Sequence, residues 1–314
     1  MTSSQMHIRG MLASLNISAW SARKYDKKVT KETNEAHNAD ADAGRYNKKL
    51  LPGDAPSYKA LTQHVSQMRL EHYKMTLPWS DEGRRVLPMK EHAHYTETMR
   101  KMFIEADALL NAFVADYPAL RSEARHKLNG MFNDEDYPTD IRKKYTFKIE
   151  YDPIPTGGDW RVELSQDELA ILAARTEERV QSALAEAQAD AVKRLHKVLA
   201  KMVERLTAVK VTKDRTTKDG KFIAGGEVKD ATFRDTLVEN ARDIVDVLSR
   251  INLADDPELE KFRKQTEALA NSVTPDELRD VPEIKEDTAK QAKEILDAMT
   301  STYGASFFAP APKQ

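Results

Sequence analysis

Basic side chains interleaved with aromatic rings are the most chemically suggestive feature of this 314-residue chain. Trp20 and Tyr25 bracket Arg23 and Lys24, and Lys27, Lys28 and Lys31 follow directly. Guanidinium and ammonium groups neutralise phosphates, and flat rings stack on unpaired bases, so the combination suits a nucleic-acid strand. A second basic stretch opens the segment KVTKDRTTKDGKFIAGGEVKD at 210–230. There Lys210, Lys213, Arg215, Lys218 and Lys221 face only Asp214 and Asp219. Arg23, Lys24, Lys27, Lys28, Lys213, Arg215 and Lys218 are therefore the candidate phosphate contacts. The plainer alternative makes Trp20 a core residue and the lysines a solvated face.

Other chemistries find less support. The chain has no cysteine, which excludes disulfides, thiolate catalysis and cysteine-held metal. Gly220-Lys221 is followed by Phe222 and lacks the upstream glycine of a phosphate-binding loop. His92 and His94 sit beside Glu91 and Glu97. Two residues apart on a helix, the imidazoles point some 200° away from each other and do not share an ion easily. Asn133-Asp-Glu-Asp136 is acidic but lacks the glycine and distal glutamate of a calcium loop. No Gly-x-Ser-x-Gly elbow occurs. The expectation is no catalytic residue, no metal and no cofactor.

The stretch MTLPWSDEGRRVLP (75–88) sets a tryptophan and two arginines between prolines. As a tight corner, it would bury Trp79 and tie Arg84 and Arg85 to nearby acids. As a recognition loop, it would expose Trp79, Arg84 and Arg85 as anchors for a partner.

The elements that must position these residues read as mainly helical. Charged residues make up 32% of the chain and glycines number only 11, a mix that fits a charge-rich helical protein better than a sandwich or barrel. The N-terminus lacks a signal-peptide core, and no run nears the roughly 20 apolar residues that span a bilayer. A cytoplasmic protein with no membrane partner is expected. Net charge is −2 but uneven: residues 1–101 hold 17 Lys+Arg against 11 Asp+Glu, and the remainder 32 against 40. A basic end and an acidic end suit head-to-tail association or a localised anionic partner.

Residues 1–142 are expected to form an N-terminal helical body. It comprises helices over 12–37, 56–75 and 88–117, a short one begun by Pro118, and a polar connector at 43–56. YTFKIEY (145–151) and WRVEL (160–164) alternate strictly and predict a β-hairpin over 143–164. Ser165-Gln-Asp-Glu168 is a capping box. From it an apolar seam runs to Val209 at spacings of four, three and four, through Leu184, Leu195, Val198, Met202 and Leu206. Such a helix, about 65–70 Å long, predicts an extended spine. It would pair with a helix from about 231 to 252 across the basic tip 210–230, and its seam is a candidate interface between copies. Residues 253–303 predict two more helices, at 256–271 and 275–303, and 304–314 a flexible tail.

TLPWSDEGRRVLP (76–88), LNGMFNDEDYP (128–138) and GGDWRVEL (157–164), in that order and followed by a long alanine-rich helix, resemble a family of uncharacterised proteins of tailed bacteriophages and prophages. The resemblance covers about residues 12–210. It implies a setting, the cytoplasm of an infected bacterium near phage DNA metabolism or host management, and carries no activity or site residue. The expected fold is mainly α and elongated, with a long antiparallel helical hairpin and a small β-hairpin. The expected function is a non-enzymatic, self-assembling interaction or scaffold protein, a homo-oligomer with a host or phage protein partner. The alternative is a single-stranded DNA or other nucleic-acid binder.

Overall fold

A computed structural model describes residues 9–79, 83–159, 165–212, 215–216, 222–223, 226–229 and 236–309. The protein is mainly helical, with long packed helices and small antiparallel sheets. The chain divides into two compact units that interleave in sequence. Unit 1 takes residues 1–12, 75–92 and 152–314, and unit 2 takes 13–74 and 93–151. The chain passes from one unit to the other at 12–13, 74–75, 92–93 and 151–152.

Unit 1 is organised by α4 (Gln166–Thr207). Ser165 accepts from the Glu168 amide while Glu168 reaches back to the Ser165 amide, the capping box expected from the sequence. Forty-two residues make a rod of about 63 Å. Its apolar stripe, with Val192, Leu195, Leu199 and Met202 all fully buried, packs on α5 (Thr236–Ile251) and most extensively on α8 (Pro282–Tyr303). The seam proposed as an interface between copies is thus internal. Leu184, Leu195, Met202 and Leu206 are buried in the core of unit 1, and Val198 is half-buried against it. The helix near 231–252 does pack on the spine, as expected, and α8 covers what it leaves. Near the start of α4, Gly157 sits where a side chain would press on the Ala173 Cβ at 3.0 Å, so the turn and the helix approach each other closely.

Helix α6 (Pro257–Asn271) lies within one residue of its expected bounds. The helix expected over 275–303 is instead two: α7 (Pro275–Asp280) and α8. Pro282 forces Val281 into extended backbone, which ends one helix, and then opens the next at its first position. The expected flexible tail is also corrected in part. Residues Ala305–Phe308 form a 3-10 turn whose Phe307 and Phe308 pack on the unit 1 core. Phe308 stacks on His196 at 3.9 Å, and burial lowers the His196 pKa. Residues 310–314 lie outside the described ones.

Strands replace part of the expected N-terminal helix. β1 (Gly10–Ser18) and β2 (Arg23–Tyr25) precede α1 (Lys27–Ala36), and β3 (Asn47–Lys49) lies within the supposed connector. β4 (Leu77–Pro78), β5 (Arg84–Pro88) and β6 (Thr146–Asp152) complete a four-stranded sheet of order β4-β5-β1-β6. β6 is the strand expected at 145–151, but its neighbour in that sheet is β1; the expected partner 160–164 lies outside the described residues. β1 reads poorly as a strand because Leu12 and Ala13 are both buried, which breaks the alternation.

In unit 2, α2 (Pro56–Met75) and α3 (Met89–Leu128) supply the long helices. Pro118 does not start a helix; it lies inside α3. An interior proline costs about 3 kcal/mol. Burial of Leu110, Phe113, Tyr117, Leu120 and Ala124 along one stripe, on both sides of the proline, offsets it.

The described parts of the basic segment 210–230 have paired backbone. β7 (Val209–Thr212) runs antiparallel to β10 (Gly226–Lys229), and β8 (Arg215–Thr216) to β9 (Phe222–Ile223). Lys213 and Lys218 lie outside the described residues, and Arg215 is placed on β8 by its backbone alone.

Candidate functional site

Of the two readings of residues 75–88, the described residues take the form of the corner. Leu77 and Pro78 pair with Val86 and Arg85 in an antiparallel hairpin, and Trp79 is buried in the unit 1 core. Arg85 donates to the Thr76 hydroxyl at 2.7 Å and its carbonyl at 3.1 Å, and Arg194 donates to the same carbonyl. Arg84 is half-exposed, 3.8 Å from Asp152. Trp79 is thus not an exposed anchor; residues 80–82 lie outside the described ones.

The N-terminal basic cluster is split by the change from helix to strand. Lys27 and Lys28 lie exposed on α1, with Lys28 3.9 Å from Glu32 and Lys31 3.6 Å from Glu35. Such exposed pairs are worth little, so this face reads as solvated. Arg23 and Lys24 point to opposite faces of the β2–β3 ribbon, whose register pairs Arg23 with Lys49 and Lys24 with Lys48.

That alternation builds a groove. On one face Lys48 is buried, its Nζ 2.8 Å from Asp136, 3.4 Å from Asp26 and 2.8 Å from the Met131 carbonyl. Burial works to lower the Lys48 pKa, but Asp136 and Asp26 outweigh it and the net shift is upward. On the other face Arg23 and Lys49 line a cleft of about 590 Å³ together with Trp20, Leu51, Pro52, Tyr58, Lys59, Val65, Arg69 and Tyr145.

One wall is a helix face. Tyr58, Lys59, Thr62, Val65 and Arg69 follow one side of α2 over three turns, about 16 Å. Four cations line the cleft, and among the described residues no carboxylate does. Among the described residues, Lys59 is the one of the four with a carboxylate within 4 Å, Asp54 at 3.5 Å, and Asp54 is almost fully exposed.

Trp20 is held from several sides. Tyr58 and Tyr117 meet it edge-on at 6.4 and 5.8 Å, Tyr137 lies at 6.5 Å, and the Tyr58 hydroxyl donates to the Trp20 carbonyl at 3.3 Å. Burial raises the Tyr58 pKa, with Thr62 and Arg23 drawing it back.

The segment LNGMFNDEDYP buttresses this site from behind. Asp136 anchors Lys48, Asp134 takes Arg121 and Arg125, and the Tyr137 hydroxyl donates to the Leu50 carbonyl at 2.7 Å. Asp134 and Asp136 are thus engaged by cations of the chain. Among the described residues no group of three or more His, Asp or Glu side chains is placed to hold a metal.

Asp26 gives the buttress a pH dependence. It caps α1 by accepting from the Val29 amide at 3.1 Å, which, with Lys48 and against burial, lowers its pKa below 3.8. The stabilisation is complete above that value and is lost as pH falls through the lower, folded pKa. Asn at this position keeps the cap but cannot titrate. Asp26→Asn is expected to lose less melting temperature than the natural chain between about pH 6 and about pH 3. An equal loss in both would show that Asp26 does not carry this dependence.

Of the expected phosphate contacts, Arg23 alone is shown in the groove. Lys49, Lys59, Arg69 and Tyr58 were missed. The helical spacing of 58, 62, 65 and 69 was legible, but Val65 drew attention to the core side of that helix. Comparison with protein-family models, with curated proteins and with solved structures returns no match to this chain. No helix among the described residues is long and apolar enough to cross a membrane.

Proposed function

We propose that this protein binds the sugar-phosphate backbone of a nucleic acid in the unit 2 groove. The observation that carries this reading is the convergence of Arg23, Lys49, Lys59 and Arg69 on one cleft that no carboxylate lines among the described residues. Directly opposed like charges, such as Arg23 and Lys49, destabilise a β-ribbon. An anion lying between them turns that repulsion into attraction. The length of the α2 wall favours a chain of phosphates over a single one. The setting we propose is the one implied by the resemblance to tailed-phage proteins, an infected bacterial cell. Self-assembly through the α4 seam is not proposed, because that seam is filled from within the chain.

Fluorescence anisotropy with a labelled oligonucleotide across a salt series tests this. With up to four phosphates neutralised, log affinity is expected to fall against log salt with a slope of roughly −2 to −3. Absence of binding at low salt, or a slope near zero, would remove the proposal.

A further inference from the structure

We infer that the groove takes an unpaired strand, DNA or RNA, with a base seated against Trp20, and that it discriminates against duplex. This rests on the nucleic-acid reading and adds the form of the ligand. Four cations alone would grip any phosphate backbone, paired or not. The rest of the lining has no use in that grip. Trp20, Tyr58, Leu51, Pro52 and Val65 give the groove an aromatic and apolar lining. In a duplex the base faces are stacked on each other and are reached only by extrusion. A duplex would therefore touch the charged rim and leave this lining without a partner. An unpaired strand presents base faces free to stack, and stacking tolerates any base.

Trp20 is suited to receive one. It lines the groove, is only partly buried, and is wedged among Tyr58, Tyr117 and Tyr137. A ring already immobilised loses little further freedom when a base docks. It shares the groove lining with the cations: Arg23 lies three residues on in the chain, and Lys49 pairs with Arg23. A base on the indole and phosphates on the ribbon are thus contacts of neighbouring parts of one strand.

The test compares four probes on the full chain at low salt: oligothymidylate and oligouridylate of about twelve nucleotides, an abasic strand of equal length, and a duplex of equal length. One or both base-bearing strands are expected to bind roughly tenfold or more tightly than the abasic strand and the duplex. The ratio between the thymidylate and uridylate strands separates DNA from RNA as the source. In a Trp79→Phe/Trp160→Phe chain, where Trp20 is the remaining indole, those strands are expected to quench the emission and the abasic strand is not. If that variant does not fold, the affinity ratio in the natural chain decides. Equal, salt-sensitive binding of all four probes would overturn this inference and leave the nucleic-acid reading standing. Binding of none would remove both.

Discussion

Lys49→Glu is expected to weaken nucleic-acid binding by roughly tenfold or more while leaving the protein as stable as before, or slightly more so. The two effects have opposite signs for one reason. Lys49 faces Arg23 across the β2–β3 ribbon, and both line the groove. Without a ligand this is a like-charge pair, and a glutamate opposite Arg23 would make it an attractive pair worth about 0.2–1 kcal/mol. For the ligand, the same change deletes one phosphate contact and introduces repulsion, and the salt slope should fall in magnitude by about one. Adding Arg23→Glu restores a like-charge pair of the other sign and should lower affinity further, roughly 30- to 100-fold in total. Melting temperature and anisotropy on the same samples check both halves. Unchanged affinity in Lys49→Glu would mean that the groove is not the grip. A clear loss of stability would mean that the ribbon does not carry the strain assigned to it.

Leu195→Asp is expected to unfold unit 1. Leu195 is fully buried in the core cluster that joins α4, α5 and α8. Removing a buried leucine costs about 2–5 kcal/mol by itself. Putting a carboxyl group there without a partner adds several more, whether it stays charged or takes a proton. The total rivals the roughly 5–15 kcal/mol that holds a whole domain together. Leu195→Ala should fold and melt lower, by about 2–5 kcal/mol of stability. Circular dichroism against temperature reads both. A natural melting curve in Leu195→Asp, accompanied by a change in mass by light scattering, would instead assign the seam to contacts between copies.

The comparison of Leu195 with Arg23 shows where sequence reasoning held and where it stopped. Leu195 was identified as one residue of an apolar seam, because helical periodicity is a local property of the chain. What covers the seam is not local. α8 begins 75 residues beyond the end of α4, and nothing in the spacing of either helix states that they meet. The capping box at Ser165 was legible for the same reason as the seam, since it closes within four residues. The strand expected at 160–164, and Lys213 and Lys218, lie outside the described residues.

Arg23 was singled out for its type, but with the wrong neighbours. Lys24, Lys27 and Lys28 were grouped with it on an assumed helix. A strand of three residues carries almost no sequence signal of its own. The β2–β3 pairing, made across more than twenty residues, reverses the grouping by alternating the side chains. It sends Lys24 away from the groove and brings Lys49 into it.

The sequence by itself determined the helical class, the long capped spine, and the presence of basic and aromatic residues near Trp20. These follow from hydrogen bonds and side-chain spacings that close within a few residues. Only the tertiary structure decided that the spine's seam is filled from within, that Trp79 belongs to a core, and that Arg23, Lys49, Lys59 and Arg69 share one groove. Each of those depends on contacts between segments far apart in the chain, where burial and strand register, not local preference, decide which side chains meet.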